Sequence, residues 1–279
     1  MARASAESGG TSTERSIGLD EGHGTFVVNL APTGMIPTKE MTPHVPITPA
    51  EAAMDVAKCA SIGLTTVHVH ARDEDGRPTS DRDTYGRFVE AVREAVPDVA
   101  VCVSCSGRND PTYETRSKVL DLEGARRPDL ASLTLASLNF PKSASVNAPD
   151  TVIRLAEKMK DRGIKPELEV FDLGMMNYAR YLIDKGVLER PFYFNIILGN
   201  VASAQPDLVH LGALLHDLPE HSYFSVGGVG DAQLQSNVHG LHRVEASAWG
   251  SRTTSGSTRP DRDSVRTSIR CRVSMSSAS

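Results

Sequence analysis

The sequence predicts an α/β fold, a (β/α)8 TIM barrel whose eighth βα unit is missing or corrupted. Three observations lead there. Short apolar strands alternate with helical stretches from residue 25 to about residue 250. Most strands are followed by a helix, which implies parallel pairing. Seven strands within roughly 250 residues suit a barrel better than a doubly wound sheet.

Residues 1–24 are rich in Ser, Gly, Thr, Ala and charge, without apolar periodicity, and read as a disordered N-terminal extension. The first strand falls at 25–31. Thr48-Pro49-Ala50-Glu51 then opens a helix, with Thr48 as N-cap, Pro49 in the first turn and Glu51 closing a capping box. Gly63 ends it. The alternation continues with a strand at 66–70, a helix at 84–95, and strands at 99–104 and 130–135. A helix at 149–162 stops at Gly163, a strand follows at 168–171, and a helix at 175–185 stops at Gly186. A strand at 193–198, a helix at 207–215, a strand at 223–227 and a helix starting at Asp231 complete the readable pattern. Residues 25–250 are thus an incomplete barrel domain. Residues 251–279 hold nine Ser, four Thr and six Arg, 19 of 29 positions, and no eighth strand can be read from them. That tail is predicted to be disordered. A seven-stranded barrel would keep two exposed edges, a poor design that needs an explanation.

Composition narrows the class. With 39% hydrophobic and 23% charged residues and a net charge of −5, the 279-residue chain reads as a soluble globular protein with no nucleic-acid surface. No apolar run approaches the ~20 residues that span a bilayer, and no secretory signal core is present. The expectation is a cytoplasmic protein without a membrane or nucleic-acid partner. Cys102 and Cys105 fit C-x-x-C but lie on a strand-like run, where residues three apart face opposite sides. They read, with Cys59 and Cys271, as buried thiols.

Four segments can carry chemistry. In Val67-His68-Val69-His70-Ala71-Arg72, histidines at i and i+2 of a strand share one face. At the carboxyl end of a barrel strand such a pair can ligate Zn²⁺, which then wants one more protein ligand and an open position; the alternative is two hydrogen-bonded interior histidines. Ser104-Cys105-Ser106-Gly107-Arg108 ends the third strand with small hydroxyl residues and a glycine, suited to a polar substrate or to a simple turn. Glu167 and Glu169 share a strand face, where a carboxylate is costly unless paired. Glu169 is the better functional candidate, and an ion pair to Lys165 or Arg180 is the alternative. Ser225-Val226-Gly227-Gly228-Val229-Gly230 leads into a helix and could present N–H groups to an anion.

Together these segments resemble the beta-keto acid cleavage enzymes, which include the 3-keto-5-aminohexanoate cleavage enzyme of lysine fermentation. The resemblance runs from about Val27 to Gly240, through APTGMIPTKEMTPHVPITPAEAA, HVHARDEDGRPTSD, VSCSG, LTLASLNFP, KPELEVFDLGMM and SVGGVGDAQLQ. It implies a zinc-dependent (β/α)8 barrel, usually a homo-oligomer, acting in amino acid catabolism. The implied acyltransferase reaction joins a beta-keto acid to acetyl-CoA and splits the product, giving acetoacetate and a new CoA ester. By resemblance His68 and His70 are zinc ligands, and Ser104 and Glu169 act on substrate. Thr33, Gly34, Arg72, Ser106, Ser132 and Gly228 line the substrate site. Some relatives carry Glu two residues after the TG that Thr33-Gly34 matches. Ile36 stands there and cannot pair with an ammonium group, which suggests a substrate other than an amino-bearing keto acid.

The family's eighth strand reads like GGGVRVGLEDNLW and supplies a third zinc ligand (Glu), a catalytic Asp and its partner Arg. None appears in this chain. We read a change of frame, as a hypothesis. Back-translating residues 249–256 and reading one base earlier permits Gly-Leu-Glu-Asp-Asn-Leu-Trp, and residues 243–248 permit Gly-Gly-Gly-Val-Arg upstream. Sequencing the DNA between the codons for Val238 and Arg243 tests it: a stop, or no Glu-Asp-Asn in the shifted frame, refutes it. Two other readings of function stand beside this one. The first is an inactive remnant or non-catalytic binding protein. The second is a metal-dependent hydrolase barrel, in which a His-x-His pair usually ends the first strand rather than the second.

Overall fold

The computed structural model describes residues 27–250, with side chains through residue 241. The N-terminal extension and the 251–279 tail lie outside the described residues. Seven parallel strands form one sheet in chain order. They are β1 (Asn29–Leu30), β2 (Thr66–Val69), β3 (Ala100–Val103), β4 (Leu130–Thr134), β5 (Lys165–Val170), β6 (Phe192–Leu198) and β7 (Ser222–Gly228). The helices are α1 (Pro49–Ala60), α2 (Arg82–Ala95), α3 (Pro149–Asp161), α4 (Leu173–Asp184), α5 (Leu208–His216) and α6 (Ala232–Gly250). Between β3 and β4 a one-turn helix (Tyr113–Arg116) and two 3₁₀ turns replace a full helix. A hairpin pairing Leu138–Asn139 with Ala144–Ser145 follows β4. Among the described residues no strand joins β7 to β1, so the barrel is nearly closed.

Helix starts show why boundaries shift from the sequence pattern. The capping box at Thr48 and Glu51 is present, as read. Helices α2 and α4 begin two residues before the sequence pattern placed them, because Asp81 and Asp172 accept from the N–H groups of Thr84 and Met175 and so cap one turn earlier. The strands before β7 are largely buried on both faces, as parallel barrel strands are, whereas in the edge strand β7 only Ser225 and Val226 are buried and Tyr223 is exposed. Their outward residues (Val67, Val101, Leu133, Leu168, Phe194) join the main core under the helices. Their inward residues make a smaller apolar floor of Cys102, Leu130 and Tyr193. Cys102 and Cys105 are buried and free, one in each compartment. Cys59 is buried in α1. Among the described residues no helix is long and apolar enough to cross a membrane.

Candidate active site

Strand register carries Asn29, Thr66 and His68 onto one face of β1 and β2, and His68 sits beside Cys102 of β3. His70 follows two residues later on the same face. The two imidazoles stack, with ring centroids 4.8 Å apart and planes inclined by 22°. His68 Nε2 and His70 Nδ1 are buried without a hydrogen-bond partner among the described residues. Burial, followed by the charges of His68, Arg72 and Arg108, holds His70 well below its ordinary pKa.

Below them Glu167 of β5 is fully buried and organises a polar layer. His68 Nδ1 lies 2.5 Å from its Oε2, and the Cys102 thiol donates to the same oxygen at 3.1 Å. Asn29 and Asn195 donate to Oε1 at 2.5 and 3.2 Å. Asn29 also donates to the Tyr193 hydroxyl, which bonds Ser225 of β7 at 2.8 Å. Side chains therefore tie β1 to β5, β6 and β7 across the interior, where no backbone ladder joins the two edge strands. Burial alone would lower the His68 pKa, but the charge and hydrogen bond of Glu167, with Glu169 adding, raise it to about 9. For Glu167 burial pushes upward, and the charge and hydrogen bond of His68 with the Cys102 and Asn29 donors outweigh it, leaving the carboxyl low.

One pleat further along β5, Glu169 accepts from Thr134 Oγ1 at 2.5 Å. Burial raises its pKa, and the nearby Glu167 charge adds to the rise. Neither glutamate uses the ion pairs considered from sequence: Lys165 donates to the Arg190 carbonyl and Arg180 faces Asp217.

The strand-end loops build the rim. Thr33 Oγ1 donates to the Pro46 carbonyl at 2.9 Å. Arg72 is buried and donates to the carbonyls of Gly34 (2.8 Å), Pro37 (3.1 Å) and Gly76 (3.3 Å), so it clasps the β1 loop. Gly34, at φ +66°, makes the turn that this clasp holds. Ser104 Oγ accepts from the Ser106 N–H, Ser106 Oγ from the Arg108 N–H, and Ser132 Oγ from the Cys105 N–H, so the hydroxyls stabilise their own loop. Arg116 lies buried behind that loop, donating to the Cys105 carbonyl and to Asn147 Oδ1, both at 2.8 Å. A Cβ on Gly107 would fall 2.9 Å from the Val146 carbonyl oxygen, so glycine is needed there. A Cβ on Gly228 would fall 2.6 Å from the Ala232 carbonyl, so that glycine admits the first turn of α6.

Sequence reasoning passed over Glu167 in favour of Glu169 and missed Asn29, Cys102, Tyr193, Asn195 and Arg116. The period-two alternation that put Glu167 and Glu169 on one face could have flagged Glu167. Nothing local marks the others, whose roles come from neighbours on distant strands.

The fold is a nearly closed (β/α) barrel with the candidate residues on the inner face and at the carboxyl ends of its strands. Residues 25–243 match the model of the beta-keto acid cleavage enzyme family, and the chain belongs to that family. It is 34% identical over 212 residues to a 3-keto-5-aminohexanoate cleavage enzyme of Fusobacterium nucleatum, covering 75% of each chain. It is 36% identical over 180 residues to a 3-oxoadipate:acetyl-CoA acetyltransferase of Cupriavidus necator, covering 64% of this chain and 61% of that one. A ternary complex of ObcA with a C4-CoA adduct and oxalate has a similar fold, with a TM-score of 0.53 at 20% identity over 84% of this chain. This chain spans about half (48%) of that ObcA chain, and the likeness is one of fold alone.

Proposed function

We propose that this site belongs to a zinc-dependent beta-keto acid cleavage enzyme, converting a beta-keto acid and acetyl-CoA to acetoacetate and a CoA ester, and that the reaction is impaired in this polypeptide. The observation that carries the reading is the state of the two histidines. Buried imidazole nitrogens without partners are costly, and a cation shared by His68 and His70 would satisfy them. Glu167 holds His68 through Nδ1 and leaves Nε2 for a ligand, the usual arrangement behind a metal-bound histidine. The depressed basicity of His70 keeps it neutral, as a ligand must be, whereas His68, raised to about 9 beside Glu167, would have to release its proton on binding the ion. Donor atoms of His68, Cys102 and Glu167 also lie within 4.8 Å of one another. They meet at hydrogen-bond distances, and we read that set as support for the mouth rather than as the ion site.

Zinc, when bound, would supply a Lewis acid that polarises the keto carbonyl. The chain's own residues do the rest. Glu169, with its raised pKa and the Thr134 hydrogen bond, can hold or accept a proton at the substrate. By the family relationship Ser104 is the residue that contacts substrate. Thr33, Gly34, Ser106, Ser132 and Gly228 shape the surrounding loops, with Arg72 fixing the first of them. The family relationship also suggests a cytoplasmic homo-oligomer.

The family match ends at residue 243, before the segment that would carry the third ligand and the Asp–Arg pair. Two imidazoles are one ligand short of the usual catalytic zinc site. The expected outcome is weak, substoichiometric zinc and little acetoacetate from a panel of beta-keto acids with acetyl-CoA. A version with the GGGVRVGLEDNLW strand restored should gain both. Stoichiometric zinc and normal turnover in the chain as it stands would refute the impairment; no zinc in the restored version would refute the metal site.

A further inference from the structure

The hydrogen bonds on Glu167 divide between its two carboxylate oxygens. Oε1 takes the amides of Asn29 and Asn195, from β1 and β6. Oε2 takes His68 Nδ1 and the Cys102 thiol, from β2 and β3. One oxygen therefore ties strands together, while the other meets a nitrogen and a sulfur at a single point. Those three donor atoms lie within 4.8 Å of one another, and all three residues are buried. His68 and Cys102 are direct neighbours in the β2–β3 register, so the sheet fixes that pair.

A four-coordinate ion the size of zinc, with bonds of ~2.0–2.3 Å, sets its donors roughly 3.3–3.8 Å apart. The His68 Nδ1–Oε2 distance of 2.5 Å and the Cys102 Sγ–Oε2 distance of 3.1 Å fall just inside that spacing, because hydrogens now hold the atoms together. Exchanging those two hydrogens for one divalent cation opens the triangle by roughly 1 Å. The thiol proton and the Nδ1 proton leave to solvent, the sulfur, Nδ1 and Oε2 bind the ion, and the ring keeps its proton on Nε2. The net charge of the buried layer is then unchanged, and the amides on Oε1 are undisturbed. Three protein ligands with an open fourth position suit such an ion, against two imidazoles at the mouth. The sulfur sets the class, because a thiolate selects soft cations where carboxylates and water favour hard ones. Without such an ion the three groups hydrogen-bond one another and support the mouth, as described above.

We propose that Cys102, Glu167 and His68 Nδ1 form an interior metal site that takes a thiophilic divalent cation, and that an ion there excludes zinc from the histidine pair. The exclusion comes from a single ring. An ion on Nδ1 leaves the proton on Nε2, the nitrogen that an ion at the mouth needs. The interior site stands without the zinc reading; only the exclusion rests on it.

Cadmium alone is the probe, added to the metal-free full chain and followed by the ultraviolet absorption of a cadmium–thiolate bond. The wild-type chain should take up Cd²⁺ with that absorption. Cys102→Ser keeps a hydroxyl donor for Glu167 and should lose the absorption, with a fall in affinity of at least about tenfold, the loss that even supporting residues of a metal site show. His70→Gln should keep both, and thermal melts confirm that each variant folds. Side-chain nitrogen NMR of the wild-type chain needs no variant: cadmium should bind Nδ1 of His68 while Nε2 keeps its hydrogen. Absent thiolate absorption in the wild-type chain overturns the site. So does absorption that survives in Cys102→Ser, which places the ion on another cysteine, or a loss in His70→Gln equal to that in Cys102→Ser, which places it at the mouth. Cadmium on Nε2 alone overturns the site as well, and cadmium on both ring nitrogens overturns the exclusion. Each of these results leaves the keto-acid reading standing.

Discussion

Inside the barrel the buried carboxylate of Glu167 accepts from Asn29, His68, Cys102 and Asn195, whereas at the rim Arg72, Arg108 and Arg116 meet no carboxylate among the described residues. The interior layer is self-sufficient in charge. The three rim arginines are not matched in this way. The difference separates residues that hold the strands together from residues that hold the loops. His68 and His70, on one strand face, behave in opposite ways: burial lowers both, but the charge and hydrogen bond of Glu167 overcome it at His68, whereas the charges of His68, Arg72 and Arg108 add to it at His70.

The largest expected effect tests the interior side of that contrast. Glu167→Ala leaves a buried imidazole and two amide donors without their acceptor, and should cost about 3–5 kcal/mol of stability in urea denaturation. A cost below about 1 kcal/mol would show that the layer does not hold the strands.

A smaller effect should appear with pH in the metal-free protein. The folded pKa of His68 is raised from 6.5 to about 9, so its contribution is fully present below pH 6.5 and is lost as pH rises through about 9. The Glu167 pKa is lowered from 4.5, so its contribution is present above pH 4.5 and is lost as pH falls through its folded value. The two describe one pair, which should be most stabilising between pH 4.5 and 6.5 and weaken by roughly 2–4 kcal/mol toward pH 9. A stability flat from pH 6.5 to 9 in the metal-free protein would contradict the pairing.

The smallest effect belongs to the rim. Arg108→Gln should cost about 0.5–1 kcal/mol, the worth of its stacking on the Phe140 face. A loss well above about 2 kcal/mol would make Arg108 a main support of the rim.

Much of this organisation was legible before any coordinates. The order of strands and helices, the capping box at Thr48 and Glu51 and the shared face of His68 and His70 are local patterns of period 2 or 3.6, and the structure contains each of them. The segment between β3 and β4 was not legible as a helix slot, because one-turn and 3₁₀ elements leave no sustained periodicity. Glu167 was visible as an inward carboxylate but was ranked below Glu169, since sequence cannot show that Asn29, Cys102 and Asn195 converge on it. Arg116 was invisible, its partners Cys105 and Asn147 lying 11 and 31 residues away.

The amino-acid sequence by itself determined the alternating α/β class, the family and the histidine pair, because each is written in residue type and short-range spacing. Only the tertiary structure decided which carboxylate anchors His68, which arginines are occupied and that Arg108 lies against Phe140. Those depend on sheet register and loop packing, which bring together groups far apart in the chain and set their charge by burial and neighbours.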